Sequence, residues 1–434
     1  MTTQTYTPRE TTLLLEALRG GVVPSVGIQH IMVGRSRESQ AVFDTINNVK
    51  SGSSAVKFWI GDFGSGKSFM LTLLQAIALK QDFVVSSVDF TPERRLYDSN
   101  RKAVSTYSMI INNLSIKTKQ EGNALSTIIE RWMTQIIQKV SMSNAIPLDK
   151  IRDESNADLI KQEIMESINN LQGVGAFEFG LVLAKYYEGY MSGNVELTRS
   201  ALRWFRGEYT TRTDAKTDLG VREIIDDANY YDMLKNLCIF FVQVGYSGFV
   251  INFDEAINLY KLSQTPIRDK NYEKILSIYN DCMQGHISNL FINIAGTKEF
   301  LTDPRRGLYS YSALKTRLES NSYETTDIRD FSGSVIILNP LSHEDIYILL
   351  TKLQNIFETH YQTNSPITDL DIRTFMEELF NKPGAGSYLT PRQVIRDFIN
   401  LLSILKENPE VDKSTFIKDL QIEKPPTETD VEIL

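Results

Sequence analysis

The 434-residue sequence predicts an α/β fold: a parallel five-stranded sheet interrupted by a large helical insertion and closed by a C-terminal helical lid. Three observations predict it. Gly61-Asp62-Phe63-Gly64-Ser65-Gly66-Lys67-Ser68 spells G-x-x-x-x-G-K-S between the apolar run Ala55–Ile60 and the helical pattern Phe69–Leu79. This is the strand–loop–helix context in which glycines let backbone N–H groups converge on phosphate. Next, several short apolar runs bounded by turn residues read as buried parallel strands. Finally, residues from about 94 to 236 carry apolar stripes at i, i+3, i+4 and almost no strand pattern.

In chain order, Thr11–Leu18 reads as a short helix ending at Gly20-Gly21, followed by the extended Val22-Val23-Pro24 and by Ile31–Arg35. Ser36–Val49 is a helix leading to the first strand, 55–60. Asp82–Phe90 is β-rich and expected as the second strand, laid parallel to the first through the loop's helix. Helices are expected over Ser108–Ile116, Ala124–Val140, Ala157–Ile168, Phe177–Tyr190 and Val195–Trp204. The chain returns to the sheet at Gly248–Glu255, Leu290–Thr297 and Ser334–Leu338. Helices then follow over roughly 344–361, 369–379 and 391–405. The expected organisation is an α/β core over 1–341 with its insertion at about 94–236, a lid over 342–407 and a loosely held tail over 408–434.

Composition narrows the function. A net charge of −8 excludes a surface that is basic overall, so any nucleic-acid contact would be local. Arg101, Lys102, Lys117, Lys119, Arg131 and Lys139 make the early insertion lightly basic, as a solvated helix face or as a DNA patch. Cys238 and Cys282 lack metal-ligand spacing and read as buried thiols of a reducing compartment, and the four histidines are scattered. No secretion signal and no run long enough to span a membrane is seen, so a cytoplasmic protein is expected.

In the glycine loop, Gly61 to Ser68 would surround the phosphates of a nucleoside triphosphate. Lys67 would supply a mobile positive charge, and the Ser68 hydroxyl a ligand for Mg²⁺. Phe249–Phe253 runs into Asp254-Glu255, so a buried strand ends in two carboxylates. Asp254 suits Mg²⁺, and Glu255 points elsewhere, where it can deprotonate a water attacking the γ-phosphate. Thr297, ending the next strand, can position the same water or serve as a turn residue. Phosphoryl transfer also favours a guanidinium. Arg317 and Arg392 are the candidates, Arg392 following a helix-starting Thr390-Pro391, with Arg305-Arg306 a third option.

This order of motifs resembles the AAA+ ATPases. Val33-Gly34-Arg35 resembles the segment that flanks the adenine, and Asp254-Glu255 the Walker B pair. Thr297 falls at the sensor 1 position, Arg317 in Thr316-Arg317-Leu318 at the arginine finger, and Arg392 at the sensor 2 arginine of the lid. Ile337–Ser342 resembles the entry into that lid. The wording of 61–68, Leu219–Asp227, Gly245–Gly248 and Thr390–Phe398 is similar to the ATP-binding proteins of bacterial BREX-type phage-defence islands, distantly like origin-recognition ATPases.

The resemblance, spanning about 13–405, implies ATP and Mg²⁺ as ligands and a homo-oligomer with ATP at subunit interfaces. It also implies work passed to a helicase, methyltransferase or nuclease partner on DNA. The insertion is longer than the usual AAA+ connection. A winged helix does not follow the lid, so sequence-specific DNA recognition is not implied. Two rivals stand beside an ATP-hydrolysing remodeller: a slow-hydrolysing nucleotide switch that scaffolds assembly, and a small-molecule kinase on the same loop.

Overall fold

A computed structural model describes residues 6–98, 100–151, 153–168, 171, 175–319, 329–383 and 389–418. Helices α1 (Pro8–Arg19) and α2 (Ser36–Lys50) precede β1 (Ala55–Ile60), and α3 (Lys67–Lys80) leads to β2 (Val84–Asp89). The insertion carries α4 (Lys102–Asn112), α5 (Leu125–Ser143), α6 (Ala157–Ser167), α7 (Ala176–Ser192), α8 (Val195–Phe205), α9 (Arg212–Leu219) and α10 (Tyr230–Gln243). Then come β3 (Phe249–Asp254), α11 (Ile257–Tyr260), α12 (Thr265–Met283), β4 (Leu290–Gly296), α13 (Lys298–Thr302), α14 (Ser312–Leu318) and β5 (Val335–Ile337). The C-terminal helices are α15 (His343–Tyr361), α16 (Asp369–Phe380), α17 (Pro391–Glu407) and α18 (Lys413–Lys418).

The expected five-stranded sheet is present, in the order β2-β3-β4-β1-β5. The ladders β1·β4, β4·β3 and β3·β2 are parallel, with Ile60 level with Gly296, Asn252 with Asn293, and Asp89 with Asp254. β2 is therefore parallel to β1 but not beside it, because β4 and β3 lie between. β1 and β4 are buried almost throughout and β3 up to its last residue, the apolar-run signature of strands covered on both faces.

The chain folds into two compact units: residues 1–40, 61–74 and 337–434, and residues 41–60 and 75–336. In the first, α1 packs on α15 and α17. Leu14, Leu15 and Leu18 share one core with Leu349, Leu353, Phe357, Phe375, Phe398 and Leu402. The helix starts are fixed locally. Thr7 with Glu10, Ser342 with Asp345, and Thr368 with Asp371 each form a reciprocal capping box. At the start of the segment expected as a tail, Ile417 on α18 is buried in this core, and Lys413 pairs with Asp371. The remainder of the expected loose tail, 419–434, lies outside the described residues.

In the second unit the insertion is sewn to the sheet. Ser86 Oγ donates to the Ile110 carbonyl at 2.8 Å, and the Asp227 carboxylate accepts from the Arg101 and Val104 N–H groups at the start of α4. Trp132, Phe240, Phe179, Phe205 and Trp204 form a run of edge-to-face rings. Each such pair adds ~1 kcal/mol to simple burial. The helix expected over Ser108–Ile116 stops at Asn112, since Ser115 pairs antiparallel with Val85 and satisfies backbone groups of the edge strand β2. Helices α9, α10 and α12 were not anticipated individually. Helix α10 carries the helical insertion on to Gln243, past the expected end near 236.

Candidate functional site

The glycine loop is built within the first unit. Gly64 and Gly66 have φ of 78° and 90°, a region that favours glycine, so the chain can turn tightly before α3. Gly61 has no room for a side chain: a Cβ there would sit 2.7 Å from the Leu338 carbonyl oxygen. At the loop's tip a Cβ on Gly64 would meet Thr390 at 3.1 Å and Pro391 at 3.6 Å. The start of α17 therefore closes over the loop. Lys67, the first residue of α3, donates to the carbonyls of Gly61 and Asp62, both at 2.9 Å, so its ammonium is arched back over the loop. Ser68 follows it in the same helical turn.

Val33, Gly34 and Arg35 are the residues expected beside an adenine, and the structure gives Arg35 a bracing role. Its side chain is buried, and its guanidinium donates to the Ser65 carbonyl at 2.8 Å and the Asn339 carbonyl at 2.5 Å. It also pairs with the buried Glu38 at 3.4 Å. One planar fork thus holds the glycine loop and the entry into the lid, a geometry for which lysine is no substitute. Gly34, at φ 64°, lies against the Asp345 carboxylate that caps α15, and Lys352 of α15 donates to the Met32 carbonyl at 2.8 Å. Val33 packs against the lid core. The stem of Arg392 rests on Gly21, its head exposed, one residue after the Pro391 that meets the loop.

The second unit carries the carboxylates. Asp254 ends β3, half-buried, and accepts from the backbone N–H of Glu255 at 2.8 Å. Glu255 has φ of 56°, an unusual conformation for a non-glycine residue, and is exposed. The left-handed kink costs of order 1 kcal/mol and turns Glu255 off the strand's alternation, as strained residues at reactive sites commonly do. The Ala256 N–H donates to the Ala295 carbonyl, which ties the kink to β4. Thr297 caps α13, its hydroxyl accepting from the Phe300 N–H at 3.3 Å.

Asp89 was not anticipated. It ends β2 level with Asp254, and burial together with the Asp254 charge raises its pKa, while Arg94 opposes the shift. The available signal was its place at the end of a β-rich run.

The arginines separate clearly. Arg317 is exposed on α14, held by Asn280 Oδ1 at 3.0 Å and the Ala313 carbonyl at 2.8 Å. Arg306 instead braces the Tyr260 and Leu262 carbonyls, and Arg305 is exposed. The lightly basic early insertion is largely committed to local contacts. Arg101 donates to the Gly207 carbonyl and Lys119 to that of Asn123, and Arg131 stacks on Tyr246. Lys102 pairs with Glu93, Lys117 with Asp82, and Lys139 with Glu163. These contacts favour the solvated-face reading over a DNA patch.

The glycine loop fits the phosphates of a nucleotide, and Ser68 and Asp254, each taken in its own unit, are residue types that ligate Mg²⁺. The loop is a cradle that side chains at Gly61 and Gly64 would fill, with a cation and a helix start at its mouth. Among the described residues no three His, Cys, Asp or Glu side chains gather as a metal site. A Mg²⁺ ion bound through one carboxylate, a hydroxyl and substrate phosphates needs no such group. Also among the described residues, no helix is long and apolar enough to cross a membrane.

A glycine loop joining a sheet strand to the helix it opens, with carboxylates ending another strand of the same parallel sheet, defines a P-loop ATPase core. The chain belongs to the BREX system ATP-binding protein BrxC/D family, whose model matches residues 7–421. It is thus an ATP-binding protein of a BREX phage-defence system. No curated protein matches it.

Proposed function

We propose that the chain hydrolyses ATP and passes the change of nucleotide state to partners in the defence system. One observation carries the proposal: β3, an interior strand of the sheet, ends at the half-buried Asp254, and the next residue, Glu255, is a second carboxylate, exposed and held in a left-handed kink. A protein that only bound ATP has no need of a second carboxylate. In this reading the Gly61–Ser68 backbone and Lys67 hold the phosphates, and Ser68 and Asp254 hold Mg²⁺. A bound Mg²⁺ would offset the negative charge of the triphosphate. Glu255 takes the proton from the attacking water as the bond from oxygen to the γ-phosphorus forms and the β–γ bridging bond breaks, leaving ADP and phosphate. Thr297 orients that water, and Arg392 brings the lid's charge to the nucleotide.

Arg317, exposed at the surface on α14, acts on the nucleotide of a neighbouring copy, which makes the active form a homo-oligomer. The partner acted upon is a helicase, methyltransferase or nuclease of the same system, on DNA. Glu255→Gln is expected to bind ATP yet lose turnover, and Arg317→Ala to lose turnover on the order of 10³-fold. Mixing the two variants restores part of the activity, because one interface then pairs an intact Glu255 with an intact Arg317. Absence of recovery at concentrations where the chains associate would remove the shared-site reading. Parental turnover in Glu255→Gln would remove Glu255 as the base.

A further inference from the structure

A buried parallel strand is ordinarily an unbroken apolar run, and here two adjacent strands break it at the same level. Asn252 of β3 and Asn293 of β4 are paired in register and are each 0% exposed. Their amides belong to one continuous chain of hydrogen bonds. Trp59 Nε1 of β1 donates to Asn293 Oδ1 at 2.9 Å, and Asn293 Nδ2 donates to Asn252 Oδ1 at 3.1 Å. Asn252 Nδ2 then donates to Ser87 Oγ of β2 at 3.1 Å, and Ser87 Oγ donates to Gln75 Oε1 of α3 at 3.0 Å. Every bond in the chain points the same way, from β1 across β4, β3 and β2 to α3. Each side chain satisfies the next, and oriented chains of this kind polarise and strengthen one another.

The position of the chain gives it a use. Side chains of a strand alternate, so Asp254, two residues after Asn252, leaves β3 on the same face. Thr297 stands four residues after Asn293, with the extended backbone of its capping position continuing the alternation. Asp89 stands two after Ser87, level with Asp254. A slip of one residue in any of these strands would turn its functional side chain to the opposite face. Apolar neighbours resist such a slip only weakly, since Val, Ile and Phe are interchangeable along a strand. Amides that must meet donor to acceptor resist it strongly. The same chain ends on Gln75 of α3.

We propose that Asn252, Asn293, Ser87 and Gln75 are positioning residues for ATP hydrolysis, fixing the relative heights of the strand ends that carry Asp254 and Thr297 and tying them to helix α3. The inference rests on the reading of this chain as an ATPase with Glu255 as its base.

The gentlest break in the chain is Ser87→Ala, which removes one hydroxyl from a half-buried position and touches neither nucleotide loop nor carboxylates. Turnover of the 434-residue chain should show kcat down about ten-fold with KM for ATP unchanged, while Ser87→Thr, which keeps the hydroxyl, stays near the parental kcat. A group that merely stabilised the fold would lower the melting temperature and leave kcat unmoved well below it. Gln75→Met, similar in volume but without the acceptor, serves as the second variant should Ser87→Ala fail to fold, with the same split expected. Parental kcat in a folded Ser87→Ala or Gln75→Met overturns the proposal, and so does a rise in KM without a fall in kcat. Turnover of the parent and of Glu255→Gln, run alongside, separates the two failures. If the parent turns over and Glu255→Gln does not, an unmoved kcat in Ser87→Ala refutes the positioning chain alone. If the parent does not turn over, the ATPase reading falls and the positioning role falls with it.

Discussion

The glycine-loop region and the strand-end region are held by opposite means. The loop presents donors, namely backbone N–H groups and Lys67, and it is supported by residues remote in sequence. Arg35 holds the Ser65 carbonyl, Leu338 fills the space beside Gly61, and Thr390-Pro391 meets Gly64. Every one of those supports acts on backbone. The strand ends present acceptors, Asp89, Asp254 and Glu255, and they are supported from within the sheet by side-chain amides at Asn252 and Asn293. A flexible loop is shaped by packing that removes alternatives, whereas a strand is already straight and needs only its register set. Damage to the two regions should therefore read out differently, the first in nucleotide affinity and the second in the rate of the chemical step.

The sharpest way to break that contrast is to cross it. Glu255→Gln should reduce kcat on the order of 10³-fold while ATP affinity, measured by calorimetry, stays within about two-fold, since a nearly isosteric amide cannot take a proton. Lys67→Ala should do the reverse to binding. Loss of a charge-assisted contact of ~3 kcal/mol weakens ATP on the order of 10²-fold. Should Glu255→Gln lose affinity as severely as Lys67→Ala does, the division of labour between the two regions is wrong.

A smaller effect tests the support of the loop rather than its contacts. Arg35→Lys keeps the charge but cannot span the Ser65 and Asn339 carbonyls and Glu38 at once. KM for ATP should rise about ten-fold, the loss of ~1.4 kcal/mol, with kcat nearly intact. Equal falls in kcat and kcat/KM would instead mean that Arg35 acts in the transition state.

Much of this arrangement was legible in the sequence, for physical reasons that differ by element. The glycine loop and Asp254-Glu255 are local in sequence, so motif and flanking pattern suffice to place them on a strand end and a helix start. The five strands were legible because burial on both faces leaves apolar runs. What pattern does not carry is pairing. Nothing in Asp82–Phe90 says that β2 lies beside β3 rather than β1, and so nothing marked Asp89 as the neighbour of Asp254. Arg35 read as a segment marker because its partners, Ser65 and Asn339, are 30 and 304 residues away. The packing of α1 with the lid core was invisible for the same reason. Asn252 and Asn293 sit in apolar strands, and only the register, which the sequence does not carry, makes them partners.

The last and smallest prediction sets two lysines side by side. Lys67 arches over the loop, half-buried, where it can change partners when phosphate arrives. Lys57, in the middle of β1, is buried and donates to three successive carbonyls, Phe331, Ser332 and Gly333, at 3.1, 2.8 and 2.6 Å. Burial pushes its pKa down to about 8, with the nearby Asp330 charge opposing the shift. The folded chain therefore releases this proton at lower pH than the unfolded chain, whose lysines titrate near ~10.4. Between those two values the unfolded state binds more protons, so the Lys57 contribution to stability rises with pH across the window and is flat below it. Urea midpoints of the parent and of Lys57→Met, compared at pH ~7.5 and ~9.5, isolate the effect from the other titrating groups. The parent should gain about 1 kcal/mol relative to the variant over that interval, less than the full shift implies because the three carbonyls favour the ammonium. A relative loss instead of a gain would show that those carbonyls outweigh burial and that Lys57 stays charged throughout. The sheet at the level of Asn293 would then be held by a fixed ion as well as by amides, and its contrast with the loop would narrow accordingly.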